Sequence, residues 1–241
     1  MYGWRGKLGL LVPANNTVIE PELNRLLPPG TAAFATRMIV EGPFTAEALH
    51  RMETQAGRGI RELLLSRVDM IVYACMSTSL AKGDQWDRSF AQGLPEEPVK
   101  ITTAARCTIR ALQALGAKKV AVLTPYPAAI QSLVAPYFQA AGLEPAALAS
   151  LDIDDYHAVT QVTPERLYRA VRSMDLGGAE AVCLLATDLR TIEAIVPLEQ
   201  DLGIPVVSTN LAICWSFLTE LGIREQRPQP ECKLMALINS R

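Results

Sequence analysis

The 241-residue chain holds only two histidines, His50 and His157, and five cysteines with no CxxC spacing. An odd, scattered set of thiols argues against a disulfide framework, and so few histidines leave a zinc site short of ligands. Aromatic residues make up 6% of the chain and no block of Lys or Arg occurs, so no nucleic-acid groove is expected. No apolar run approaches the ~20 residues of a membrane span. The opening MYGWRGKLGLLVP passes into a short strand rather than the apolar core of a signal peptide. These absences predict a cytoplasmic protein that engages neither membrane nor nucleic acid. The formal charge of -2 gives no strong field of either sign, which leaves a small diffusing ligand as the natural partner.

What is present is a chain that is 49% apolar, enough to bury a core without metal or disulfide staples. Short β-branched runs alternate with helix-length amphipathic stretches, the pattern of a parallel sheet wound with helices. The strands expected are Leu8–Val12, Ala32–Ile39, Met70–Cys75, Val120–Thr124, Ala181–Ala186 and Pro205–Ser208. TAEALHRMETQAGRGIRELLLSR, TAARCTIRALQALG and TPERLYRAVRSM read as helices, each opening on a Thr cap.

An internal repeat organises these elements. GLLVPANN is answered by AVLTPYPA, MIVYACMSTSL by AVCLLATDLRT, and PVKITTAARCTIRALQALG by PVVSTNLAICWSFLTELG. Pro13 thus answers Pro125, Cys75 answers Ala186 and Pro98 answers Pro205, at a nearly constant offset. The fold class expected is α/β, with two pseudo-symmetric Rossmann-like lobes: residues 1–102 with 209–241, and residues 103–208. The carboxyl ends of the central strands would converge on one cleft between them, with Cys75 and Ala186 on opposite walls.

Taken alone, Cys75 in VYACMSTSL is a small buried thiol at the end of a strand. Cys107, Cys183 and Cys214 sit in apolar patterns and read as core, while Cys232 is uninformative. Asn15 and Asn16 fit turn and cap positions before TVIEPELNRLL, Asn16 being equally suited to a ligand contact. His50 and His157 read as surface residues. Asp188 and Arg190 in TDLRT read first as a pair with each other or as helix caps.

Over nearly its whole length the chain resembles the maleate isomerase and arylmalonate decarboxylase branch of the aspartate/glutamate racemase superfamily. The motifs that carry the resemblance are VPANNTVIEPE, ATRM, YACMSTSLAKG, LTPY and ATDLRTIEAI. It implies an enzyme without a cofactor or metal, in which Cys75 occupies one catalytic position. The second family cysteine falls on Ala186, a departure that weakens any two-thiol mechanism. Family contacts to substrate fall on Asn16, Met76, Ser77, Tyr126 and Thr187, with Tyr156 at a position that is often Asn in maleate isomerases and Ala186 facing Cys75.

Three activities follow as expectations. The first is cis-trans isomerisation of a maleate-like dicarboxylate through a Cys75 nucleophile. The second is decarboxylation of a malonate-like acid with Cys75 as proton donor, and the third is carboxylate binding without catalysis. Both reactions pass through an enediolate-like species, for which the hydroxyls of Ser77, Thr78, Ser79, Tyr126 and Thr187 and the amides after Cys75 and Ala186 are suitable donors. Those amides are also expected to lower the Cys75 pKa. A mono- or dicarboxylate is the expected partner, and apolar outer faces such as IRELLLSRV are compatible with a homo-oligomer.

Overall fold

The computed structural model describes residues 2–42, 44–92, 99–224 and 230–239. Pro98, one anchor of the repeat, lies outside the described residues.

The first half of the chain runs β1 (Gly6–Pro13), α1 (Ile19–Leu26), β2 (Thr31–Met38), α2 (Ala46–Glu53), α3 (Ala56–Leu65), β3 (Met70–Tyr73), α4 (Met76–Ala91), β4 (Lys100–Thr103) and α5 (Ala104–Ala114). The second runs β5 (Lys119–Thr124), α6 (Ala128–Gln131), α7 (Val134–Ala140), β6 (Glu144–Ser150), α8 (Tyr156–Thr160), α9 (Pro164–Ser173), β7 (Ala181–Leu184), α10 (Ile192–Leu202), β8 (Val206–Ser208), α11 (Thr209–Glu220) and α12 (Lys233–Ala236). Two four-stranded sheets result, ordered β2-β1-β3-β4 and β6-β5-β7-β8, with every pairing parallel. The identical order is the structural form of the sequence repeat.

The inner strands β3 (MIVY) and β7 (AVCL) are buried at every residue, as expected where helices cover both faces of a sheet. The edge strands β2 and β6 are only partly buried. Helix α5 follows the last strand of the first sheet and α11 the last strand of the second, and these two helices pack on each other. Helix α11 is buried over ten consecutive residues, Thr209 to Leu218, which explains its lack of a polar stripe.

Several elements depart from the expected boundaries. The long helix expected over TAEALHRMETQAGRGIRELLLSR is two, α2 and α3, broken where Gln55 turns its amide onto Ile39. Its Oε1 accepts from the Ile39 N–H at 2.9 Å and its Nε2 donates to the Ile39 carbonyl at 2.8 Å. Helix α3 then lies close on the sheet because Gly59 has no side chain: a Cβ there would stand 2.5 Å from Leu11 Cδ2. Strand β6, EPAALAS, was not expected, being an alanine-rich edge strand with little β propensity. The Thr caps hold, with Thr45, Thr103 and Thr163 each accepting a backbone N–H of their helix's first turn.

Two buried carboxyls tie the halves together. Glu22 on α1 accepts from the N–H groups of Thr191 and Ile192 at the start of α10 and from the Asn210 side chain on α11, the last at 2.8 Å. Asp87 on α4 accepts from Ser79 Oγ at 2.7 Å and from Tyr137 Oη of α7 at 2.6 Å. Burial raises the pKa of both, offset in part by these bonds. No described helix is long and apolar enough to cross a membrane.

Candidate active site

In a 2-1-3-4 sheet the chain changes direction between the first and third strands, and the loops leaving those strands splay apart to make a crevice. Both sheets have this arrangement, and all four loops meet in one cavity. The β1 loop brings Asn15 and Asn16, the β3 loop Cys75, Met76 and Ser77, the β5 loop Tyr126, and the β7 loop Thr187 and Asp188. An apolar side comes from the segment between β2 and α3, through Val40, Phe44, Leu49 and Met52, and α8 adds Tyr156.

Cys75 follows β3 and immediately precedes α4, and it is 5% exposed. Thr78 Oγ1 donates to its Sγ at 3.3 Å, and Ser77 Oγ lies 3.4 Å away. Desolvation nonetheless outweighs these bonds and raises the Cys75 pKa. The expected lowering by neighbouring donors is present but smaller than the effect of burial, which keeps Cys75 as the thiol near neutral pH. All five cysteines are free; Cys107, Cys183 and Cys214 are fully buried in the core.

Asn16 acts both as cap and as cavity residue. Its Oδ1 accepts from the N–H groups of Val18 and Ile19 at 2.9 and 3.1 Å, and its Nδ2 donates to Thr187 Oγ1 at 3.1 Å. Thr187 Oγ1 donates in turn to the Ala74 carbonyl at 3.2 Å, and the Thr187 carbonyl accepts from Asn210 Nδ2. The hydroxyl proton of Thr187, expected to reach substrate, is thus committed to the backbone beside Cys75. Ala186 is fully buried and is not among the lining residues; Thr187 and Asp188 form that wall.

Tyr126 is buried, and the Phe44 ring bridges it to Tyr156, with centroids 5.7 and 4.5 Å apart. Tyr156 Oη and Asn15 Oδ1 are buried without a hydrogen-bond partner. Both residues line the cavity, where a polar occupant would satisfy them. His50 and His157 are exposed, as the sequence suggested.

Asp188 is the site residue that sequence reasoning assigned elsewhere. The expected pairing with Arg190 is not formed: Arg190 Nε donates to the Val162 carbonyl at 3.2 Å, while Asp188 lines the cavity. The side chain is half-buried, open to the cavity, and the desolvation it does suffer pushes its carboxyl up to about 6. Its position two residues past the Cys75 counterpart in the repeat was the available signal. Among the described residues no group of three or more His, Cys, Asp or Glu side chains is arranged to hold a metal ion.

The maleate isomerase of Geobacillus stearothermophilus is 28% identical over 236 residues, 92% of this chain and 94% of that protein. The crystal structure of the maleate isomerase from Pseudomonas putida S16 superposes with a TM-score of 0.90 at 29% identity, covering 97% of this chain and 99% of that one. A cysteine mutant of the Nocardia farcinica maleate cis-trans isomerase, solved with a covalently bound succinylcysteine intermediate, gives 0.83 at 27% identity over 90% and 92% of the two chains. The arylmalonate decarboxylase family model matches residues 8–235, almost the whole two-sheet unit just described, and the chain belongs to that family.

Proposed function

We propose that the protein is a cofactor-independent cis-trans isomerase of a maleate-like small dicarboxylate, with Cys75 as its nucleophile. One observation carries this reading: a single thiol sits in a cavity whose other polar groups are neutral amides and hydroxyls and one carboxyl. Such donors suit substrate carboxylates and an enediolate. The succinylcysteine of the Nocardia relative supports a carbon–sulfur bond as the intermediate.

In the forward step Cys75 Sγ, as thiolate, adds to one alkene carbon. The π pair moves onto the neighbouring carbon and its carboxylate, giving an enediolate. The former double bond is now single and rotates, and reversal of the addition expels the thiolate and leaves the trans isomer. No described His, Lys or Arg lines the cavity, and the acceptors for the thiol proton are carboxylate oxygens of the substrate or Asp188. Ala186 supplies no second thiol, and one thiol suffices for addition and elimination.

A second reading, decarboxylation of a substituted malonate, is favoured by two features. The raised pKa of Cys75 keeps its proton in place, as a donor to an enediolate requires. The apolar side of Val40, Phe44, Leu49 and Met52 fits a hydrocarbon substituent. There the bond to one carboxylate breaks, carbon dioxide leaves with the electron pair staying on the α-carbon, and Cys75 protonates that carbon before regaining a proton from solvent.

A proton NMR time course in deuterated buffer, with maleate and phenylmalonate offered together, separates the two. Fumarate formed by the natural chain and not by Cys75→Ser is the expected result. A deuterated monoacid instead selects the decarboxylase, and no product from either substrate counts against both. Five free thiols support a cytoplasmic setting.

A further inference from the structure

We propose that Asp188 takes up a proton when a dicarboxylate binds, and so meets the ligand as a neutral hydrogen-bond donor from the β7 loop. The inference rests on the dicarboxylate reading above and decides between the two acceptors named there for the thiol proton, since a protonated Asp188 leaves that role to the substrate.

Three observations carry it. Among the described residues the cavity has a carboxyl and no cation: neither Lys, Arg nor His lines it. Asp188 has no partner to hold its charge, since no other described residue donates a hydrogen bond to its carboxyl and Arg190 is turned onto the Val162 carbonyl. Tyr156, whose Oη is buried with nothing to donate to, lines the same cavity and can meet an acceptor ligand, while the unpaired Asn15 Oδ1 calls for a donor. A dianion entering beside an ionised Asp188 would place three carboxylates in one poorly solvated space. Carboxyls sharing such a site hold a proton among them.

The titratable groups facing Asp188 from the packed elements are Cys75 from the β3 loop, Tyr126 from the β5 loop and Tyr156 from α8. All three stay neutral near pH 7, the first two with pKa values raised by burial and Tyr156 pushed up to about 12. None offsets a negative charge. Asp188, at about 6, is the one group of the four that is ionised above neutrality and so can take up a proton there, and a bound dianion raises its pKa further. A neutral carboxyl then gives one oxygen–hydrogen donor to the ligand, and the thiol proton of Cys75 is left to the substrate's own carboxylate.

The test is titration calorimetry of the full chain with fumarate, whose second carboxyl ionises well below neutrality, in two buffers of different protonation enthalpy. The expected result is uptake of close to one proton per fumarate above pH 7. Its Kd should weaken about tenfold per pH unit over that range. Asp188→Asn, whose amide is a permanent donor, should bind fumarate with no proton uptake and with a flat pH profile. Binding without proton uptake by the natural chain, or the same profile in both proteins, overturns the inference and leaves the dicarboxylate reading standing. Failure of fumarate, maleate and phenylmalonate to bind either protein overturns both.

Discussion

Asn16 and Thr187 leave different sheets, yet Asn16 Nδ2 donates to Thr187 Oγ1 at 3.1 Å and that hydroxyl donates to the Ala74 carbonyl at 3.2 Å. One chain of two bonds thus links the β1 loop, the β7 loop and the residue before Cys75. Thr187→Val keeps the shape and strands both partners in a buried setting, at a cost of about 1–3 kcal/mol. A fall of roughly 5 °C in Tm is expected. Turnover should fall with it because Cys75 loses its register against the opposite wall; thermal melts and steady-state rates on the same samples check both.

Cys75 should be silent until substrate arrives. With its pKa raised by burial, alkylation of the free protein by iodoacetamide is expected to be slow at pH 7 and still accelerating past the ordinary thiol range of about 8.5. Cys75→Ser should retain the fold and lose about a thousandfold or more in turnover. Rapid alkylation at pH 7, blocked by maleate, would instead show a thiolate already formed in the protein before maleate is added.

The sheets were legible because their inner strands are continuous apolar runs, and the repeat revealed that there are two of them before any pairing was known. Cys75 was legible through its motif. The direction of its pKa was not, since sequence names the donors at Ser77 and Thr78 but not how much water the fold removes. Asp188 was misassigned for a related reason: a salt bridge with Arg190 is the simplest use of two nearby charges, and only the tertiary structure turns one inward and the other to Val162. Strand β6 and the break at Gln55 depend on edge pairing and on one side-chain amide, neither of which leaves a periodic signature.

Partial desolvation of Asp188 in the cavity sets a pH dependence of stability. Its folded pKa of about 6 stands above the ordinary 3.8, so the folded protein holds this proton over a range where the unfolded chain has released it. Stability is therefore expected to fall as pH rises from about 4 to 6 and to stay at the lower level beyond. Asp188→Asn removes this contribution and should be more stable than the natural chain above pH 6, by up to roughly 3 kcal/mol. Urea denaturation of both proteins at pH 4, 6 and 8 measures the difference, and equal stability at pH 8 would place Asp188 in a better solvated setting than its burial implies.

Tyr156 offers the opposite exchange between stability and binding. Its Oη is buried without a partner while its ring rests on Phe44 at 4.5 Å, so the packing is favourable and the hydroxyl is a cost in the empty protein. Tyr156→Phe keeps the ring contact and deletes the orphaned atom, and should stabilise the free chain by about 1 kcal/mol. The same change removes a donor waiting for a carboxylate, so KM for maleate should rise by about tenfold with kcat less affected. A rise in Tm together with a rise in KM identifies a group kept for its ligand rather than for the fold. A fall in both would mean that the hydroxyl finds a partner within the folded chain.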